Sequence, residues 1–351
     1  MQILLTNYTG HQPHLGCIAT CDALEALLRE RYPNAVIEKE KHSVKRANAL
    51  MYFGAWGQNK RAALMKSDPR WENFQRADLV VVNAEGTLHA KTYLKQGAGS
   101  NQRILEAYLA KRDLGKAVMM VNHSISSHHK HFDELVKAAY PQMDHVAVRE
   151  PFSLEYLQGL GVNNAVLSAD AIFSMTPPPP AKESPLKGKF LISDSFSWKV
   201  GWQQRRGRVL ELIQHVRKQG LEVAYLSVLS HPYDRHFADA LELEYHAFEN
   251  YQDFMAHLQT AAFILTGRFH IAVFAGFCAV PFLGFEAPTY KVEGLCRLLE
   301  HPLPPLNLFR DAPEIVAAKV DKALSETSSL QAHLAGKQNF MRELARMNVP
   351  L

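Results

Sequence analysis

The chain has 351 residues, enough for two domains and for a core that needs no covalent staples. Apolar residues make up 47% and charged residues 21%, which excludes a disordered chain. The 39 Lys and Arg against 35 Asp and Glu leave a balance of +4, scattered along the sequence. Nucleic acid is therefore not an expected partner, whereas small anions suit the surplus.

In chain order, Met1 to Asn7 lacks the basic start and long apolar run of a signal peptide and reads as a first strand at Ile3–Leu5. Apolar positions from Ile18 to Arg31 predict a buried helix. Further strands are expected at Leu79–Val82, Ala117–Val121, His145–Val148 and Ala165–Ser168. Pro177-Pro178-Pro179-Pro180 and the polar residues after it form a stiff linker. Strands resume at Phe190–Ser193, Val223–Ser227, Phe263–Thr266 and Val280–Phe285. Helices are expected at Gln203–Gln219, Tyr251–Ala261, Ile271–Phe277 and Lys291–Glu300, and the residues from Ala312 onward form one or two more. The apolar stretch from Ala261 to Phe285 is broken by Arg268, His270 and Pro281, so it reads as buried core and not as a membrane span.

This alternation predicts α/β architecture: two Rossmann-like parallel-sheet domains facing across a cleft. Residues 1–176 form the first domain, 177–188 the linker and 189–311 the second. Residues 312–351 form a helical tail that could pack on the first domain. Cys17, Cys21, Cys278 and Cys296 are too few for a disulfide scaffold and contain no CxxC pair. A reducing cytoplasm is the simplest compartment.

Ligands of open α/β sheets bind beyond the carboxyl ends of the strands. Polar groups gather at those ends here. The sharpest group is Thr266-Gly267-Arg268-Phe269-His270. Gly267 allows a tight turn, the following helix offers free N–H groups, Arg268 offers a donor fork, and His270 titrates near neutrality. The bland reading is an Arg paired to a structural carboxylate and a His bonded in the core; the apolar surroundings favour function. Arg149-Glu150-Pro151-Phe152-Ser153 is second, with a salt bridge or helix cap as its structural counterpart. Glu85, Gly86, Thr87 and His89 follow one strand and are equally an ordinary βα turn. His123 and Ser124 follow another, where capping is the simpler account. Glu286 and Lys291 follow the last. His128, His129 and His131 lack an acidic or thiol partner at ligand spacing, so a solvated cluster is expected and no metal. Cys17 and Cys21 could share a helix face, but small buried hydrophobes describe them better than redox partners.

The order of these motifs over about residues 1 to 305 resembles the polysaccharide pyruvyl transferase family. The carriers are Leu15-Gly16-Cys17, Asn83 to Leu88, Val148-Arg149-Glu150 with Ser153, Leu160-Gly161-Val162 and Ala169 to Phe173, then Thr266 to His270, Val280-Pro281 and Tyr290-Lys291. The resemblance implies a GT-B-like fold and transfer of a pyruvyl group from phosphoenolpyruvate to two hydroxyls of a sugar, forming a ketal and releasing phosphate. It implies no cofactor beyond that donor. By position, Arg268 and His270 match the family's Arg-Leu-His site for phosphoenolpyruvate, Arg149 its middle arginine and Lys291 its late lysine. The chain departs from the pattern at Ala84-Glu85-Gly86, where three glycines are common, and at His14-Leu15-Gly16-Cys17, where Asn-x-Gly-Asp is common. Phe269 stands for a usual leucine and Ile271 for a usual glycine.

On this reading His270 donates a proton, and Arg268 disfavours its protonated form until the anionic substrate arrives. Arg149 and Lys291 bind the phosphate and carboxylate. Glu85, Glu150, Asp170 and Glu286 are equal candidates for the base. One alternative is a GT-B glycosyltransferase using a nucleotide sugar in surface-polysaccharide synthesis, with Glu286 or Glu293 on the ribose. Another is a non-catalytic binding protein for an anionic metabolite or glycan. The acceptor is a sugar or glycan; a lipid-linked one would bring the protein to the inner membrane face.

Overall fold

The computed structural model describes residues 1–41, 58–89, 99–127, 130–194, 201–228 and 232–350. It divides into two compact units. The first comprises Met1–His11, Thr20–Ala171 and Glu343–Leu351, the second Gln12–Ala19 and Ile172–Arg342.

The first unit holds β1 (Gln2–Thr6), β2 (Val36–Lys39), β3 (Leu79–Asn83), β4 (Thr87–His89), β5 (Ala117–Ser126), β6 (His145–Val148) and β7 (Ala165–Leu167). They pair in parallel in the order β2-β1-β3-β5-β6-β7, with β4 beside the far end of β5. The near-continuous apolar run of β3 is buried throughout, as a central parallel strand requires. Trp71, Phe74, Tyr108, Phe132 and Tyr140 pack with residues of β1, β3, β5 and β6 in one core. The edge strand β2 was not expected from sequence, because its Val-Ile-Glu-Lys is short and partly exposed. A bulge breaks the β5–β6 register between Met120 and His123. There Asn122 adopts a left-handed φ of 57°, which Asn tolerates better than most side chains. Its N–H donates to Asn348 Oδ1 at 2.9 Å, and its Oδ1 accepts from the Ala171 N–H at 2.9 Å.

The second unit holds β8 (Phe190–Ser193), β9 (Val223–Leu226), β10 (Glu244–His246), β11 (Phe263–Thr266) and β12 (Phe282–Gly284). They too are all parallel, in the order β10-β9-β8-β11-β12. The chain starts in the middle, builds outward to β10, then returns to lay β11 on the other side of β8. The strand order therefore reverses at the β8–β11 junction, the place where such sheets open a crevice. Helix Phe269–Phe277 follows β11 and buries eight of its nine residues, consistent with its apolar composition on every face. Helix Pro232–Ala240 was not expected; it is short, and Asp234, Arg235, His236 and Asp239 interrupt its apolar residues. The proline run is docked in this unit: the Pro178 carbonyl accepts from Gln259 Nε2 at 2.8 Å, and the Ala181 N–H donates to the Ala256 carbonyl at 2.9 Å. Of the tail, helix Pro313–Ser325 places Val316, Val320 and Ala323 in the second unit's core. Residues 343–351 belong to the first unit. Among the described residues, no helix is long and apolar enough to cross a membrane.

Candidate active site

The β8–β11 junction of the second unit is lined with polar groups. Ser193 and Thr266 end the two strands, and their hydroxyls meet at 2.5 Å. The next residues, Asp194 and Gly267-Arg268, continue the contact. Arg268 places Nε on Asp194 Oδ1 at 2.6 Å and Nη2 on Asp194 Oδ2 at 2.8 Å, a two-point pair. Nη2 also reaches Asp234 Oδ1 at 3.1 Å, and Asp234 in turn accepts from Ser227 Oγ at 2.5 Å. Both aspartates are buried. Burial works against the guanidinium charge, but the Asp194 and Asp234 carboxylates outweigh it and hold the Arg268 pKa above its ordinary value. Nearby, burial and the same two carboxylates push the Tyr225 phenol well above its ordinary value.

This arrangement corrects the expectation for Arg268. It is not a lone cation facing an incoming anion and repelling a proton from His270. Two carboxylates meet its one charge, and one edge of its donor fork faces them. The donors on the opposite edge are those of Nη1. The residue draws together the ends of β8 and β11 and the start of helix Pro232–Ala240, and it leads directly into the helix that carries His270.

His270 is the second residue of helix Phe269–Phe277 and is half-buried. Its imidazole lies against the bare Cα of Gly16, near the start of helix Leu15–Arg31. The His14 ring sits 5.0 Å from it, centre to centre, at 71° between planes. Phe269 closes another side at 5.5 Å. The Leu15 N–H donates to the Val228 carbonyl at 3.1 Å, which fastens this segment just beyond β9. The first residue of helix Lys291–Leu298 places its ammonium 5.5 Å from the centre of the Phe269 ring. A cation at a helix start opposes the helix dipole, so an anion bound there would be attracted by both.

The Glu286 carboxylate is engaged by the backbone: it accepts the N–H groups of Leu308 at 2.6 Å and Phe309 at 2.9 Å, closing the loop after β12. It borders a polar cavity of about 550 Å³ that also meets Arg205, Arg310, Phe309 and Glu293. Burial, with the nearby Glu286 charge, raises the Glu293 carboxyl above its ordinary range.

In the first unit the structure moves most expected substrate contacts inside. Arg149 is fully buried. Its Nη1 pairs with Asp170 at 2.8 Å, its Nη2 donates to the Gly86 carbonyl at 3.1 Å, and its Nε reaches Ser124 Oγ at 3.4 Å. It ties the ends of three strands together and cannot meet a substrate in this conformation. Ser124 is buried with it. Ser153 is also buried: its hydroxyl accepts from the Ile125 N–H at 2.7 Å, donates to the Ile125 carbonyl at 3.2 Å and contacts Glu150. Glu150 caps helix Pro151–Gly159 by accepting from the Ser153 N–H at 3.2 Å, and burial raises its pKa. His123 is enclosed, with Nε2 3.0 Å from the Tyr140 hydroxyl; burial and the neighbouring Arg149 push its pKa down to about 3. Gly86 has φ of 108°, a conformation that favours glycine, and its carbonyl holds Arg149 and the Ser124 N–H. The backbone of Thr87 and His89 forms β4, but their side chains lie outside the described residues, as do His128 and His129. Among the described residues, no cluster of three or more His, Cys, Asp or Glu gathers to hold a metal.

At the β1–β3 junction, this unit's own point of reversed strand order, the polar groups are buried as well. Asn7, at φ of 51°, donates from Nδ2 to the Asn83 carbonyl at 2.6 Å. Thr9 donates to Glu85 Oε2 at 2.6 Å and contacts Cys21 Sγ at 3.3 Å.

Sequence reasoning missed Asp194 and Asp234, and it named His14 only as part of a departure from the family pattern. Asp194 directly follows the expected strand Phe190–Ser193, so extending the same strand-end survey to that strand would have found it. Asp234 sits on the short helix Pro232–Ala240, which the strand-end survey did not reach.

A family model described as polysaccharide pyruvyl transferase matches residues 14–287. No curated protein matches the chain. Among solved structures, a candidate UDP-N-acetylglucosamine 2-epimerase from Listeria monocytogenes superposes with a TM-score of 0.63 at 15% identity, covering 98% of this chain and 93% of that one. UDP-GlcNAc 2-epimerase from Neisseria meningitidis, solved with UDP-GlcNAc bound, gives 0.61 at 10% identity over 99% and 98%. A glycosyltransferase from Rickettsia africae gives 0.54 at 11% identity over 99% and 98%. These likenesses establish the fold as the GT-B type of two parallel-sheet α/β domains.

Proposed function

The chain belongs to the polysaccharide pyruvyl transferase family and is a transferase; from that premise we propose that it moves the pyruvyl group of phosphoenolpyruvate onto two hydroxyls of a sugar. The observation that carries this reading is the half-buried His270, set beyond β11 at the point of reversed strand order, with the Lys291 ammonium beside Phe269. His270 gives a proton to the methylene carbon, which becomes a methyl group. The adjacent carbon becomes oxocarbenium-like and is attacked by one sugar hydroxyl. Phosphate departs with its bridging oxygen, and the second hydroxyl closes the ketal. The two hydroxyl protons balance the new methyl C–H and the proton on the released phosphate.

Lys291 and the N–H groups at the start of helix Phe269–Phe277 receive the donor's negative charge. Arg268 contributes Nη1 and holds the turn in place. Of the four carboxylates considered for the base, Asp170 is paired with Arg149, while Glu150 and Glu286 accept backbone N–H groups. Glu85 accepts from the Thr9 hydroxyl, so all four are engaged within the protein and none is assigned to deprotonating the acceptor. The acceptor itself is a sugar of a polysaccharide or of its lipid-linked precursor, met at a membrane surface in the latter case.

A second reading, a nucleotide-sugar glycosyltransferase, draws on the cavity that joins Glu293 with Arg205 and Arg310. Calorimetry separates the two. Phosphoenolpyruvate should bind the wild type, and His270→Ala should keep that binding but lose turnover. Binding of nucleoside diphosphates without phosphoenolpyruvate would replace the pyruvyl reading with the glycosyltransferase. A fully active His270→Ala would remove the acid role.

A further inference from the structure

We propose that Gly16 and His14 are positioning residues for His270: Gly16 is the seat on which the imidazole rests, and His14 holds that seat in place. The inference deepens the reading of His270 as the acid and rests on it for its kinetic consequence. Its structural content stands on geometry alone.

A methyl group built on Gly16 would come within 2.6 Å of both Cβ and Nδ1 of His270, well inside van der Waals contact. Those atoms belong to the root and ring of the side chain, not to a flexible tip, so the imidazole would have to turn or shift. Only a residue without a side chain permits this approach. The Gly16 backbone is not in a left-handed conformation, so the requirement is one of space, not of φ.

The seat needs a fixed address. His14 supplies it by capping the helix: the Cys17 N–H donates to His14 Nδ1 at 3.2 Å. This is the place where Asn, Asp or Ser often accept the same bond at a helix start. Because a backbone N–H can only donate, Nδ1 must be an acceptor, which puts the neutral ring's proton on Nε2. The same ring packs against His270 at 5.0 Å. The Leu15 N–H to Val228 carbonyl bond anchors the turn on its other side. Cap, anchor and seat converge on the ring that is to deliver a proton, where a displacement of roughly 1 Å can cost about a hundredfold in rate.

The test uses the full chain labelled with ¹⁵N-histidine, with the His270 ring signals assigned by their disappearance in His270→Asn. Gly16→Ala should move those signals in the substrate-free protein while leaving the far-ultraviolet spectrum unchanged. It should also lower kcat about a hundredfold, with the KM for phosphoenolpyruvate changed less than about threefold. His14→Ala should broaden or move the same signals and lower kcat. His14→Asn, which keeps an acceptor for the Cys17 N–H, should recover most of what His14→Ala loses. Unmoved His270 signals in Gly16→Ala would overturn the seat. A His14→Asn variant no better than His14→Ala would overturn the cap. Signals that move in Gly16→Ala, together with a wild type that does not turn over phosphoenolpyruvate, would uphold the positioning and reject the chemical reading instead.

Discussion

Arg268 and Asp194 meet edge to edge, Nε on Oδ1 at 2.6 Å and Nη2 on Oδ2 at 2.8 Å, across the β8–β11 junction. Asp194 lies one residue beyond β8 and Arg268 two beyond β11, so the pair locks the turn that leads into His270. Removing one partner leaves a buried charge facing a weakened complement, a change that typically costs about 3–5 kcal/mol. Arg268→Ala and Asp194→Ala should each lower unfolding stability by an amount of that order in urea titrations. The double variant should lose less than the sum of the two, with a coupling of about 1–3 kcal/mol. Strict additivity would show that the pair does not act as a unit.

Arg149 holds the first unit together in a comparable way, through Asp170, the Gly86 carbonyl and Ser124. Arg149→Ala should destabilise the chain by about 3–5 kcal/mol, and its loss of activity should track its loss of fold as temperature rises. A variant with an unchanged melting point that no longer binds phosphoenolpyruvate would return Arg149 to the substrate.

Acid should unfold the protein through its buried imidazoles. His123 is held neutral down to about pH 3 when folded, whereas in the unfolded chain it takes a proton near 6.5. Between those values the unfolded state binds more protons, so stability rises with pH. The contribution is complete above about pH 6.5 and is lost progressively as pH falls toward 3. Burial lowers the pKa of His145 and His301 as well, which adds to the same slope. Replacing His123 with Gln, which can still bond the Tyr140 hydroxyl, should reduce the slope of stability against pH between 4 and 6 by about one proton. An unaltered slope in equilibrium unfolding would refute the assignment.

Burial also raises the thiols, Cys21 to about 11 and Cys278 and Cys296 to about 12. Since the thiolate is the reactive form, iodoacetamide at pH 8 should label these three slowly in the native protein and readily in urea. Mass spectrometry of the digested protein gives the site by site rates. Rapid native labelling of Cys21 would mean that the crevice beside Thr9 opens in solution.

The strands were legible from sequence wherever the apolar run was strong. Phe263–Thr266, Phe190–Ser193 and His145–Val148 stand where expected, because a strand buried on both faces must be apolar along its length. The edge strands Val36–Lys39 and Glu244–His246 were not legible, since an edge can be short and charged. The two-sheet α/β class followed from alternation alone, and the motif order pointed to the family. The fate of the charged residues did not follow. Arg149 and Arg268 are both arginines next to strand ends, yet whether such a fork faces a ligand or a carboxylate depends on partners far away in sequence: Asp170 for one, Asp194 and Asp234 for the other. Gly16 and His270 are likewise separated by most of the chain, and their contact exists only once the segment is fastened beyond β9. Periodicity records which residues leave water. Which polar groups satisfy one another, and which stay open to a substrate, is decided by packing in three dimensions, because a buried charge must find its complement wherever the fold brings it.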